Sequence, residues 1–219
     1  MEYNTGRRGT GRILSLSEYN IAIGAVLFWG FLVNALLVKF CTPYFAQMNY
    51  LLVLIVYFIM CIIGIVMSRK SDDPVISFIG YNFVVLPVGV VLALLLQNYD
   101  SVSILHAAAI TACVTGVMLV AAALAPRIFL SLGKVLFVAL IAVIVIELIC
   151  MLFKIYMPTF WDWIVALIFC GYIGFDWAVA QEKRHTMDNA IDSCVGLYLD
   201  IINLFIRILS ITGNRSSRD

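Results

Sequence analysis

Three acidic residues stand inside apolar stretches of this sequence: Glu147 in "VIVIELICML", Asp176 in "YIGFDWAVA" and Asp200 in "GLYLDIINLF". A carboxylate at the middle of a lipid-embedded helix costs roughly 2.5 to 3.5 kcal/mol on insertion scales, so each needs a partner or a task. Asp176 lies six positions before Glu182, and Asp200 eight after Asp192, at the polar ends of two successive apolar stretches. At the helical rise these offsets are about 9 and 12 Å. The two carboxylates therefore come to one level. Held together in a low dielectric they resist joint ionisation and share a proton, which makes a pH sensor. When both are ionised they offer oxygens to a hard cation such as calcium. A hydrogen-bonded dyad that only stabilises the bundle has the same spacing, and the residues alone leave both readings open.

Helical positions 196, 200, 203 and 207 share a face, which gives Gly196, Asp200, Asn203 and Arg207 as a small and polar stripe directed toward protein or water. Arg207 is expected to snorkel toward the far interface in preference to pairing with Asp200 two turns away. Arg69 is the better-placed counter-ion for the pair. Glu147 lies thirteen residues beyond Lys134 and seven before Lys154, in the outer half of its stretch and outside the dyad. Glu147 and Asn203 are the further positions at which an ion path is expected, with a hydrogen bond to a neighbour as the alternative for Glu147.

The elements that must position these groups are membrane helices. Of 219 residues, 63% are hydrophobic and 12% charged, too apolar a balance for a soluble domain. Runs long enough to cross a hydrocarbon core, which takes roughly 20 helical residues, fall near 19–40, 50–68, 75–97, 102–125, 132–154 and 160–180, with a weaker seventh at 191–211. The runs lack the alternation of barrel strands, and backbone groups in lipid must be satisfied internally, so the fold class is an all-α bundle. Residues 1–18 form a polar cytoplasmic tail, 19–211 a single transmembrane domain and 212–219 a short polar end. The tail carries no cleavable signal pattern, so the first span is read as an anchor.

With alternate loops on alternate sides, nine basic residues (Arg7, Arg8, Arg12, Arg69, Lys70, Arg127, Lys134, Lys183, Arg184) face the side of the N-terminus and two (Lys39, Lys154) the other. The positive-inside rule then places the N-terminus in the cytoplasm. Arg215 and Arg218 would fall outside if the seventh segment crosses, so charge counting favours its folding back. Pro87, flanked by Gly80 and Gly89, is expected to bend the third span for packing. Thr111, Thr115 and Gly116 are expected at a helix contact. The six cysteines lack ligand spacing and read as packing residues. His106 reads as an interfacial ring and His185 as part of the basic loop "QEKRH".

The blocks "YIGFDWAVAQEKR" (172–184) and "GLYLDIINLFIRIL" (196–209), with "MSRK" ending the second span before "GYNF", resemble the C-terminal signature of the Bax inhibitor family, also called the transmembrane BAX inhibitor motif family. The resemblance implies seven helices with the last one central, hence a seventh crossing against the charge count. It also implies an aspartate pair matching Asp176 and Asp200, a basic residue matching Arg69 that engages the pair in a closed form, and a pH-sensitive calcium leak. Two departures stand out. The second span, "LLVLIVYFIMCIIGIV", has no glutamate of the kind some relatives carry, and Arg207 replaces what is often an uncharged polar residue, where a fixed positive charge would slow cations.

The expected function is a calcium leak channel with no cofactor and no enzymatic activity, in which Asp176 and Asp200 bind the proton or cation and Arg69 latches them. The alternative is a regulatory partner of a membrane protease or other membrane protein. An intramembrane aspartyl protease comes third, because "LYLD" and "GFD" lack its glycine pattern. Short loops and a minimal N-terminus point to a bacterial plasma membrane, and nothing in the chain suggests nucleic acid.

Overall fold

The computed structural model describes residues 12–45 and 48–214. Seven helices follow one another: α1 (Leu16–Phe45), α2 (Tyr50–Lys70), α3 (Pro74–Leu96), α4 (Ser101–Leu124), α5 (Pro126–Leu152), α6 (Thr159–Glu182) and α7 (Met187–Thr212). Each is long and apolar enough to cross a membrane, and no strand occurs among the described residues. The seventh segment is thus a helix of 26 residues, long and apolar enough to cross. The expected tails lie largely outside the described residues, Arg7, Arg8, Arg215 and Arg218 among them.

Short polar side chains start the helices by capping orphan amides. Asn49 accepts from the amides of Leu51 and Leu52, Asp73 from Val75 ahead of Pro74, and Asp100 from Ser103. Pro126 opens α5 at the first helical position, where its missing N–H costs nothing, and this breaks the chain between α4 and α5.

The chain divides into two compact units, one of residues 1–98 with 180–198, the other of 99–179 with 199–219. In the first unit α3 packs against α1 and α2. Gly64 and Gly80 let α2 and α3 meet backbone to backbone: a Cβ on Gly64 would stand 2.5 Å from the Gly80 carbonyl oxygen, and one on Gly80 2.7 Å from that of Gly64. α3 runs unbroken through Pro87, which is buried. In the second unit α5 and α6 interlock through rings and branched chains seated on glycines: Phe175 over Gly133, Leu136 over Gly171 and Phe129 over Gly174.

Burial is uneven. Of the most apolar eighteen residues in each helix, 56% are buried in α3 and 50% in α7, against 11% in α5. Exposed side chains such as Phe28, Leu124 and Leu167 make α1, α4 and α6 apolar on their outer faces, as a lipid solvent requires. α7 is deeply buried, and α3 is buried more deeply still. Thr111 is buried, whereas a Cβ on Gly116 would meet nothing within 4 Å, so only the threonine side of that small-residue face is packed.

Candidate functional site

The site is built in the second unit by α6 and α7. Asp176 stands six residues from the end of α6 and Asp200 thirteen residues beyond the first residue of α7. Their carboxyl groups are hydrogen-bonded to each other, as the depth argument required. Two carboxylates can bond directly only if one carries a proton, so the pair holds a proton in common. Asp200 is 7% exposed, and its Oδ2 is buried and takes no bond from any donor side chain or backbone amide. Tyr172, one turn before Asp176, lies within electrostatic range of both acids. Among the described residues no three or more His, Cys, Asp or Glu gather as a metal centre. The pair offers at most four carboxylate oxygens where calcium takes six to eight, so any calcium here would keep water or carbonyl ligands and bind in passing.

A second charged cluster lies two turns further along α7. Arg207 donates from Nη2 to Glu147 Oε1 at 2.6 Å and from Nη1 to Asp162 Oδ1 at 2.9 Å. Trp161 Nε1 donates to the same Glu147 oxygen at 3.1 Å, and Ser210 Oγ to Asp162 Oδ2 at 2.8 Å. This corrects the expectation for Arg207: it ends in a two-acid clamp inside the unit, because carboxylates within reach satisfy a guanidinium better than a distant interface. Glu147 is outside the dyad as expected, and it is bound to a neighbour. Asn203 turns its amide back to the Leu199 carbonyl of its own helix at 2.8 Å. Arg69 is exposed in the last turn of α2.

Asp162 was invisible to the sequence reading because it sits in the first turn of α6, where an acid is ordinarily explained by the helix dipole. Ser210, three residues beyond Arg207 on the same face, was the available hint.

The first unit holds a separate polar network. Tyr19 donates to the Ala180 carbonyl at 3.1 Å and its ring stacks on His185 at 4.5 Å between centroids; Ser77 donates to buried Asp188 at 2.6 Å, and Ser68 donates to Asp192. Tyr19 donates also to the Asn189 carbonyl at 3.4 Å, so these bonds tie the start of α7 to α1, α2 and α3. His185 is therefore a packed ring as well as a loop residue.

The model of the family described as inhibitor of apoptosis-promoting Bax1 matches residues 14–217, nearly the whole described chain. The chain belongs to this Bax inhibitor family. It is 33% identical to Bax inhibitor 1 of Schizosaccharomyces pombe over 181 residues, covering 81% of this chain and 64% of the relative. It is also similar to protein LIFEGUARD 3 of Arabidopsis thaliana, 44% identical over 85 residues, 38% of this chain and 34% of the relative. An uncharacterized Helicobacter pylori protein is 37% identical over 122 residues, 53% of this chain and 50% of the relative. The chain thus covers between 34% and 64% of the length of these relatives. Membership of the Bax inhibitor family, together with seven apolar helices, makes this an integral, multi-pass membrane protein.

Proposed function

We propose that the protein is a pH-sensitive calcium leak channel gated by the Asp176–Asp200 pair, with its N-terminus in the cytoplasm and Arg69 as counter-ion to the pair. The observation that carries this reading is a buried carboxyl pair bonded between two membrane helices, in which Asp200 Oδ2 takes no bond from any donor side chain or backbone amide. A carboxyl pair that no fixed donor holds can exchange its proton for a cation, which takes oxygen ligands. Loss of the shared proton replaces a hydrogen bond by repulsion between two carboxylates, which loosens α6 from α7; calcium bound by the same oxygens would take the proton's place. The orientation rests on the nine-to-two excess of basic residues in the alternate loops.

The test is calcium flux in proteoliposomes of the purified full chain against pH, with Asp200→Asn alongside. Flux above empty liposomes that varies over about pH 5 to 8 in the natural chain, and loses that variation in Asp200→Asn, is the expected result. Flux no greater than in empty liposomes at any pH would overturn the channel reading.

A further inference from the structure

In the second unit α6, which carries Asp176, is keyed to α5 at three points. A Cβ on Gly174 would stand 2.3 Å from the Phe129 ring, one on Gly171 2.8 Å from Leu136 Cδ2, and one on Gly133 2.6 Å from the Phe175 ring. α5 thus gives two knobs and one hole, and α6 one knob and two holes. Residues 171, 174 and 175 share one face of α6, as 129, 133 and 136 share one face of α5. Phe129 and Leu136 meet 174 and 171 in reversed order, so the two helices run antiparallel and are locked against both sliding and rotation. α5 buries two side chains, Leu136 and Val143, and the first is one of these knobs. Such seating is not general to the glycines of this chain: a Cβ on Gly24 or Gly116 would meet nothing within 4 Å.

The interlock ends beside the acid. Asp176 lies two residues beyond Gly174, about 3 Å along the helix axis. Asp176 and Tyr172, one turn apart, share a face turned roughly a third of the way round α6 from the face seated on α5. From there the Asp176 carboxyl bonds that of Asp200 on α7. α6 is therefore gripped on one side and presents its acid on another.

We infer that Gly133 and Gly174 are positioning residues for the aspartate pair: by seating Phe175 and Phe129 they fix the rotation and height of α6, and with them the distance at which Asp176 meets Asp200. Carbon atoms pack at about 3.5 to 4.0 Å, so a methyl at either glycine must displace a ring or the helix that bears it. A hydrogen bond between two carboxyl groups is short and directional and does not survive such a displacement unchanged. Separating the carboxyls weakens both the bond that holds the shared proton and the repulsion that resists its loss, and each effect lowers the pair's affinity for that proton. The other titratable groups to reckon with are Tyr172 on α6, Arg69 as the proposed counter-ion, and Arg127 and Lys134 of α5, both exposed; the substitutions alter none of them. The inference rests on the proposed leak only in that the same pair is its gate.

The experiment is an infrared titration of the pair's carboxyl band in the full chain in nanodiscs, the band being assigned by Asp176→Asn and Asp200→Asn. In Gly133→Ala and in Gly174→Ala the midpoint should fall by about one pH unit, a tenfold loss of proton affinity, and Phe175→Leu added to Gly133→Ala should restore it. Gly64→Ala, which sets a methyl 2.5 Å from a backbone carbonyl in the first unit, controls for destabilisation alone and should leave the midpoint in place. A midpoint that stays put in both alanine variants, moves as far in Gly64→Ala, or is not restored by Phe175→Leu would overturn the inference. Where an alanine variant does not fold, Phe129→Leu, which trims the same knob without overfilling the contact, must lower the midpoint, and an unchanged one overturns the inference as well. No flux enters this readout, so its failure leaves the channel reading standing, and absence of flux leaves the positioning role standing.

Discussion

Replacing Arg207 by methionine removes the cation from between two acids and keeps an unbranched apolar stem. Arg207 and Asp162 are 21% and 18% exposed at their side chains, and Glu147 is 34% exposed. A charge-assisted hydrogen bond contributes about 1.5 to 3 kcal/mol where water is largely excluded. The Asp162 bond falls in that range, and the Glu147 bond, more open to solvent, is nearer the ~1 kcal/mol of an exposed pair. The loss should therefore be about 3 kcal/mol, most of it the cost of leaving Asp162 without a cation. For a chain of this size that lowers the melting temperature by about 6 to 12 °C. The assay is thermal unfolding of purified protein in detergent, followed by tryptophan fluorescence. The decisive comparison is the triple variant Arg207→Met with Glu147→Gln and Asp162→Asn, in which no charge is left unpaired. It should recover most of the loss, to within about 1 kcal/mol of the natural chain. A single variant costing less than about 1 kcal/mol, or a triple variant as unstable as the single one, would refute the idea that the clamp is held by charge.

Three further outcomes are expected. Asp100 accepts from both the amide and the hydroxyl of Ser103, and these bonds hold its carboxyl below its ordinary value of 3.8. A depressed folded pKa adds stability above the unfolded value and loses it as pH falls through the folded one, so α4 should fray at its start only below pH 3.8. Amide exchange at residues 101–104 reports this, and Asp100→Ala should fray at neutral pH as well. Gly64→Ala sets a methyl 2.5 Å from a backbone carbonyl and should cost about 1 to 3 kcal/mol in thermal unfolding. Gly116→Ala meets nothing within 4 Å, and should be neutral or stabilise by up to about 1 kcal/mol in the same assay.

The helices were legible because hydropathy over about 20 residues is a one-dimensional signal. The span read at 102–125 is α4, Ser101–Leu124, and the span at 191–211 is α7, Met187–Thr212, extended at its start by polar residues that outrun the apolar run. The level of Asp176 and Asp200 was legible for a similar reason: rise per residue fixes depth once the polar ends are known. What depth cannot give is azimuth. A helix apolar nearly all round carries no periodic mark of which side faces which neighbour, so Arg207 could be placed in height but its partners, 45 and 60 residues away, could not. The charge count and the resemblance part at α7: the count weighs Arg215 and Arg218, whereas the segment is a helix of 26 residues, long and apolar enough to cross.

The two charged sites of the second unit differ in a way that follows from their ligand sets. At the outer cluster one guanidinium faces two carboxyl groups, and Glu147 Oε1 and both oxygens of Asp162 are already engaged by Arg207, Trp161 and Ser210. At the aspartate pair the two carboxyl groups bond each other, and Oδ2 of Asp200 takes no bond from a donor side chain. A cation drawn along the polar face of α7 would thus be attracted at the first site, where Arg207 competes with it for the same oxygens. It would gain a ligand at the second without displacing a side chain, at the cost of expelling one proton. Seven residues of helix, about 10 Å, separate Arg207 from Asp200. That is far enough for the clamp to persist while the pair exchanges its proton, and it makes the pair, with its single proton, the point at which pH acts on the proposed leak.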